Sequence, residues 1–185
     1  MQNFTDRHIL QFERDGFLVV DKLLEPKTLP PLRQAFDDLF HGKFETGVRP
    51  DEVNWQAQNG DPSLTRQICN GWKANREIAR IVLDAALGKH IAALGGWPGV
   101  RIMHDNVLWK PPATKSLGFH QDSAYLAWFT PSDLLTCWIA LDDTCAEGGH
   151  QSKRQNKARK GQKDIGDPHQ YLVCPAPCIS GDCAD

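Results

Sequence analysis

Apolar residues recur at helical spacing through the first half of the chain and then change to strand-like runs. Thr5 is placed to cap a short helix over residues 6–14, with Ile9, Leu10 and Phe12 as its apolar face. Asp15-Gly16 ends that helix, and FLVV at 17–20 reads as a buried strand. Pro26 opens a second helical stretch in which Leu29, Leu32, Phe36, Leu39 and Phe40 share a face. Residues 42–65 are polar and carry Gly and Pro, so they read as a surface loop. From Asn75 to Leu94, the spacing of Ile78, Ile81, Val82, Ala85, Ala86 and Ile91 predicts one amphipathic helix.

The turn GGWPG at 95–99 marks the change of period. VRIMHDNVLWK alternates as a strand does and is stopped by Pro111-Pro112. SLGFHQD reads as a second strand, and DLLTCWIALDD as a third that is apolar on both faces. Residues 100–110, 117–122 and 133–142 are thus expected to be strands of one sheet system. Helices first and strands afterwards predict an α+β fold whose sheet closes as a barrel or jelly roll.

At Gly149 the pattern stops. Residues 150–170 contain only Ala158 and Ile165 as hydrophobic residues, and six Lys/Arg against two Asp. Residues 1–149 hold 15 Lys/Arg against 19 Asp/Glu, so the two parts differ in sign of charge as well as in hydropathy. The expected organisation is a domain over 1–149 and an irregular tail over 150–185, basic at first and cysteine-containing at its end, because so polar a segment cannot build a core.

Composition narrows the function classes. A chain of 185 residues with 41% hydrophobic and 24% charged residues suits one soluble domain with a real core. A net charge of -2 and a pI near 6.4 point away from nucleic acid and from anionic membranes, leaving a small molecule as the expected partner. The start MQNFTDRHILQFERDG lacks the basic-then-apolar order of a secretory signal, so the expected location is cytoplasmic. Cys69, Cys137 and Cys145 are scattered and read as buried or free thiols. Cys174, Cys178 and Cys183 with His169 offer a zinc alternative, without the paired Cys-x-x-Cys knuckles of structural zinc sites. The basic run from Lys153 to Lys163 reads as a solvated stretch.

The chemistry-bearing stretch is GFHQDSAYLAWF at 118–129. On a strand, residues two apart point the same way, so His120 and Asp122 can present an imidazole and a carboxylate to one cavity. That donor pair suits iron(II), and less exclusively manganese or zinc. The same tripeptide is also an ordinary polar pair at a strand end, so its surroundings decide its weight.

Those surroundings are specific. WKPP, a short loop, GFHQDSAYLAWFTPSDLLTCWIALDD and the turn AEGG resemble, in that order, the phytanoyl-CoA dioxygenase family. FERDGFLVVDKLL also resembles that family's N-terminal helix and strand. The resemblance runs from about residue 8 to Gly149. It implies N-terminal helices packed on a double-stranded β-helix, a cupin-like jelly roll, with iron(II) as metal and 2-oxoglutarate as cosubstrate. It places His120 and Asp122 as the first two metal ligands. It aligns Trp138 with an aromatic beside the cosubstrate, a position a core tryptophan would also fill. It sets Asn106 on a strand lining the same pocket with His104 on its face, though both are also ordinary strand-end polar residues.

After AEGG the family continues with a turn resembling P-G-S-H, a distal histidine and an arginine that clamps the cosubstrate. Here the chain reads HQSKRQNK, its remaining histidines are His150 and His169, and its last arginine, Arg159, precedes His169. The expectation is therefore an incomplete jelly roll with a truncated or aberrant part after Gly149 and an unidentified third ligand. Two further function classes stand beside the dioxygenase: an inactive family member, and a cupin-like metal or ligand binder.

Overall fold

The structure is a computed structural model that describes residues 4–112, 114, 126, 133–142 and 170–174, the last five by their backbone. The second predicted strand (117–122), His120, Asp122, His150, His169, Cys145, Cys178, Cys183 and the basic run from Lys153 to Lys163 lie outside the described residues. The described chain falls into two units, one over Glu25–Lys115 and one holding residues 4–24 with 133–142 and 170–174.

In the second of these, Thr5 begins α1 (Asp6–Asp15). Its N–H donates to His8 Nδ1 at 3.0 Å, where a capping box ordinarily uses Glu or Gln. The helix ends at Gly16, whose φ of 71° only glycine adopts without strain and whose N–H donates to the Phe12 carbonyl at 2.7 Å. β1 (Phe17–Val19) follows, with Leu18 fully buried, as the FLVV run predicts. β1 pairs in parallel with β6 (Gln170–Cys174), and β6 pairs in parallel with β5 (Leu135–Ile139). The segment after Gly149 is therefore not irregular throughout. Tyr171, Leu172 and Val173 are aromatic, apolar and β-branched, and they supply the central strand of a three-stranded sheet.

In the first unit, Pro26 starts a short 3-10 turn that leads into α2 (Leu29–Phe40), which buries Leu29, Leu32, Ala35, Leu39 and Phe40. The polar 42–65 stretch is mostly loop, as expected, with β2 (Glu52–Val53) inside it. β2 pairs antiparallel with β3 (Arg66–Cys69), and β3 with β4 (Asn106–Trp109). Ile68 and Val107 are opposite one another and essentially inaccessible to water. Burying each contributes about 1.5–3 kcal/mol.

Two expectations are corrected here. The single helix over 75–94 is two helices, α3 (Arg76–Val82) and α4 (Ala85–Gly95). Asn75 caps the first, accepting from the Glu77 and Ile78 N–H groups, and Asp84 caps the second, accepting from Leu87 N–H at 2.8 Å. The restart at Asp84 shifts the phase, so Leu87, Ala92 and Leu94 are buried while Ala85 and Ala86 are exposed. The strands predicted at 100–110 and 133–142 are shorter than expected and belong to different sheets: β4 pairs with β3, whereas β5 pairs with β6. Helix and sheet together give an α+β fold. Among the described residues, no helix is long and apolar enough to cross a membrane.

Candidate active site

Directly opposed residues of an antiparallel pair share a face, so the β2-β3-β4 sheet sorts its side chains cleanly. Arg66, Ile68, Val107 and Trp109 lie on one face. Gln67, Cys69, Asn106 and Leu108, with Glu52, lie on the other. That second face is open: Asn106 is exposed and Leu108 is 43% exposed. A polar, partly uncovered face of this kind is the open side of an antiparallel sheet whose other face is packed.

Asn106 is held in place. Its Oδ1 accepts from Gln67 Nε2 at 3.0 Å, which leaves its Nδ2 with no partner among the described residues. His104, two residues before β4, is exposed. Between them Asp105 turns inward, accepting from the Trp72 N–H at 3.1 Å, while its backbone carbonyl accepts from Asn70 N–H at 2.8 Å. Burial pushes the Asp105 carboxyl up, against the lowering effect of the Trp72 and Gly71 N–H groups. Asp105 thus ties β4 to the 70–74 turn. Asn70 sits there at a φ of 59°, donating to Asp51 Oδ2 at 2.6 Å and accepting from Trp72 Nε1 at 3.1 Å. Lys73 completes this network with an ion pair to Asp51 at 2.7 Å.

Cys69 belongs to the same open face. Burial raises its thiol pKa, and the carboxylates of Glu52, Asp105 and Asp51 raise it further, so it is a neutral thiol and a poor nucleophile at neutral pH. Cys137, on β5, is a free thiol too.

Trp138 lies on β5, in the other unit, beside Val173 of β6. It is 40% exposed, so it is not a core tryptophan, although the strand around it was expected to be apolar on both faces. The structure brings Asn106 and His104 together on one strand and its approach. It does not describe His120 or Asp122. Among the described residues, no group of three or more His, Cys, Asp and Glu is placed to hold a metal. A groove of about 350 Å³ lies elsewhere, lined by Leu83, Gly88, Ala92, Val100 and Ile102, and contains none of the predicted site residues.

Sequence reasoning missed Gln67, which orients Asn106. The alternation in TRQIC at 65–69 puts Gln67 and Cys69 on one side, but only the register with β4 shows which residue Gln67 meets.

The family model for phytanoyl-CoA dioxygenase (PhyH) matches residues 12–182. The chain belongs to the phytanoyl-CoA dioxygenase family. The match continues to residue 182, past the point near Gly149 where the motif resemblance stops, and takes in β6. No curated protein and no solved structure matches the chain. Within the phytanoyl-CoA dioxygenase family, dioxygenase chemistry is the general function, and iron(II) with 2-oxoglutarate is the cofactor set the family implies. The donor types at His120 and Asp122, an imidazole and a carboxylate two residues apart, fit iron(II).

Proposed function

We propose that this chain is an iron(II)- and 2-oxoglutarate-dependent dioxygenase that hydroxylates a small organic substrate on a jelly-roll scaffold. The observation that carries the reading is the family match over nearly the whole chain, from residue 12 to 182. His120 and Asp122 would hold the metal, as the family's first two ligands. The metal with its cosubstrate supplies oxidation of an unactivated C–H bond, and the protein supplies binding, orientation and exclusion of water.

The roles of the remaining residues follow from their groups. The resemblance gives Asn106 a place beside the cosubstrate, and with its carbonyl oxygen engaged by Gln67 its amide N–H is the group left to donate to an oxyanion. His104 shares that approach and can donate or accept. The family resemblance sets Trp138 beside the cosubstrate, and its ring is exposed enough to make that contact. Gln67 is a positioning residue, acting through Asn106.

The test is anaerobic addition of iron(II) and 2-oxoglutarate. A visible charge-transfer band and, on admitting oxygen, release of succinate are expected, and His120→Ala and Asp122→Ala should abolish both. Asn106→Ala should keep the band but weaken 2-oxoglutarate binding by about ten- to a hundredfold, since a hydrogen bond to a charged group contributes about 1.5–3 kcal/mol. A wild-type protein that gives neither band nor succinate would refute the catalytic reading and leave the non-catalytic family member in its place.

A further inference from the structure

Arg66 lies on the covered face of the β2-β3-β4 sheet, on the side away from Asn106. Its guanidinium carbon is 3.8 Å from the centre of the Trp55 ring and 3.8 Å from the centre of the Trp109 ring. Two rings that close to one planar cation must occupy its two faces. The Phe40 ring is 6.0 Å away. The clamp is itself held in place. Trp55 is 8% exposed, its Nε1 donates to the Asp61 carbonyl at 2.8 Å, and its ring meets Phe40 edge-on with centroids 5.9 Å apart. A Cβ added at Gly60 would collide with the Trp55 indole, so the loop closes directly over that ring. Trp109 is fixed as the cross-strand partner of Arg66.

Among the described residues, no carboxylate pairs with the charge on this side chain. Arg14, Arg76 and Arg80 each pair with a carboxylate, at 2.7–2.8 Å. Arg66 has no ion pair and no hydrogen bond among the described residues, and its Nε is buried without a partner. Its Nη1 and Nη2 are not buried in that way, so the end of the fork reaches solvent while both faces are covered. A guanidinium is always protonated. With its faces stacked, only its in-plane edge remains to bind anything, and two parallel N–H groups on that edge match the paired oxygens of a carboxylate or a phosphate. The flanking rings exclude water and keep the fork in one orientation, which strengthens its attraction for an anion.

We propose that the Trp55–Arg66–Trp109 sandwich is an oxyanion-binding site, taking a carboxylate or phosphate group in the plane of the Arg66 guanidinium. It is separated by the thickness of the sheet from the face that carries Asn106, so it does not depend on the dioxygenase reading.

The experiment is a titration of the full chain followed by NMR of the arginine Nε–Hε signals, with Arg66 assigned through its own side-chain connectivity. Inorganic phosphate, acetate and chloride are added in separate arms at constant ionic strength and neutral pH. A saturable shift of the Arg66 signal in the low-millimolar range with phosphate or acetate, and not with chloride, is expected. The arm that saturates first tells a phosphate from a carboxylate ligand. Arg66→Lys keeps the charge and loses the fork, and should abolish the accompanying shift of the Trp109 indole N–H. A shift that rises linearly without saturating, or that chloride reproduces, would overturn the proposal and leave the sandwich as a packing device. Should Arg66→Lys fail to fold, the wild-type titration alone decides the matter.

Discussion

The two three-stranded sheets are built in opposite ways. β2, β3 and β4 lie within residues 52–109 and pair antiparallel in chain order. β1, β6 and β5 come from residues 17–19, 170–174 and 135–139, pair in parallel, and place at the centre the strand that comes last among the described residues. The first sheet is held by contacts between near neighbours and by a polar network around Asp105. The second is closed by one short strand from a distant part of the chain. Alternation in a sequence reports a strand's faces well, and its partner only when that partner is nearby.

The largest expected effect breaks the second sheet alone. Leu172→Pro removes a ladder N–H from its central strand, where proline is not tolerated. Hydrogen exchange at Phe17–Val19 and Leu135–Ile139 should become fast, while Arg66–Cys69 and Asn106–Trp109 stay protected. Equal loss of protection in both sheets would show that they unfold as one.

Ile68→Ala strikes the first sheet at its most buried point and should cost about 2–5 kcal/mol in denaturant unfolding. A smaller change sharpens the same comparison. Gly71→Ala puts a Cβ 2.7 Å from Val107 Cγ2 and 3.1 Å from Leu39 Cδ1, and should destabilise by about 1–3 kcal/mol. Asn75→Ala leaves two N–H groups of α3 without their cap and should cost about 1 kcal/mol.

The smallest effect is in pH. Asp51 is held below its ordinary 3.8 by Lys73 and then by Asn70, and Glu45 below its ordinary 4.5 by the Arg76 N–H and guanidinium. Carboxyls depressed in the folded state contribute stability that is present above those ordinary values and lost as pH falls through the folded ones. Asp105 acts in the opposite sense. Its raised pKa favours the fold at low pH, and that contribution is lost as pH rises through the folded value. Asp51→Asn should therefore flatten the fall in thermal midpoint below about pH 4.5, whereas Asp105→Asn should steepen it.

Much of this was legible in the chain. Thr5 and Gly16 bound α1, FLVV is a buried strand, and the face of α2 follows from the spacing of Leu29, Leu32 and Leu39. The break at Asp84 was visible in principle, because an aspartate ahead of AALGK is a good cap, but the apolar residues on both sides of it keep an approximately helical spacing that masks it. β6 escaped because its apolar residues, Tyr171, Leu172 and Val173, stand among polar and Pro-rich neighbours, and their partners are far away. Of the candidate site, the strand that carries Asn106 was readable from the alternation in VRIMHDNVLWK, whereas the roles of Asn106 and His104 rest on the resemblance alone. Gln67 and the Trp55–Arg66–Trp109 stack were not readable, since residues 55, 66 and 109 become neighbours only through register.

The central position of β6 also sets a clock on synthesis. Phe17–Val19 leaves the ribosome roughly 150 residues ahead of the strand it pairs with, which at 5–20 residues per second is a delay of about 8–30 s. Over that interval a β1 still waiting for β6 presents Phe17, Leu18 and Val19 with unpaired backbone groups, a template for pairing with other nascent chains. The β2-β3-β4 sheet can assemble as soon as Trp109 emerges. Cells making this protein therefore carry a half-finished molecule whose early strand needs guarding, and expression at lower temperature or with added holdase chaperones should raise the soluble fraction.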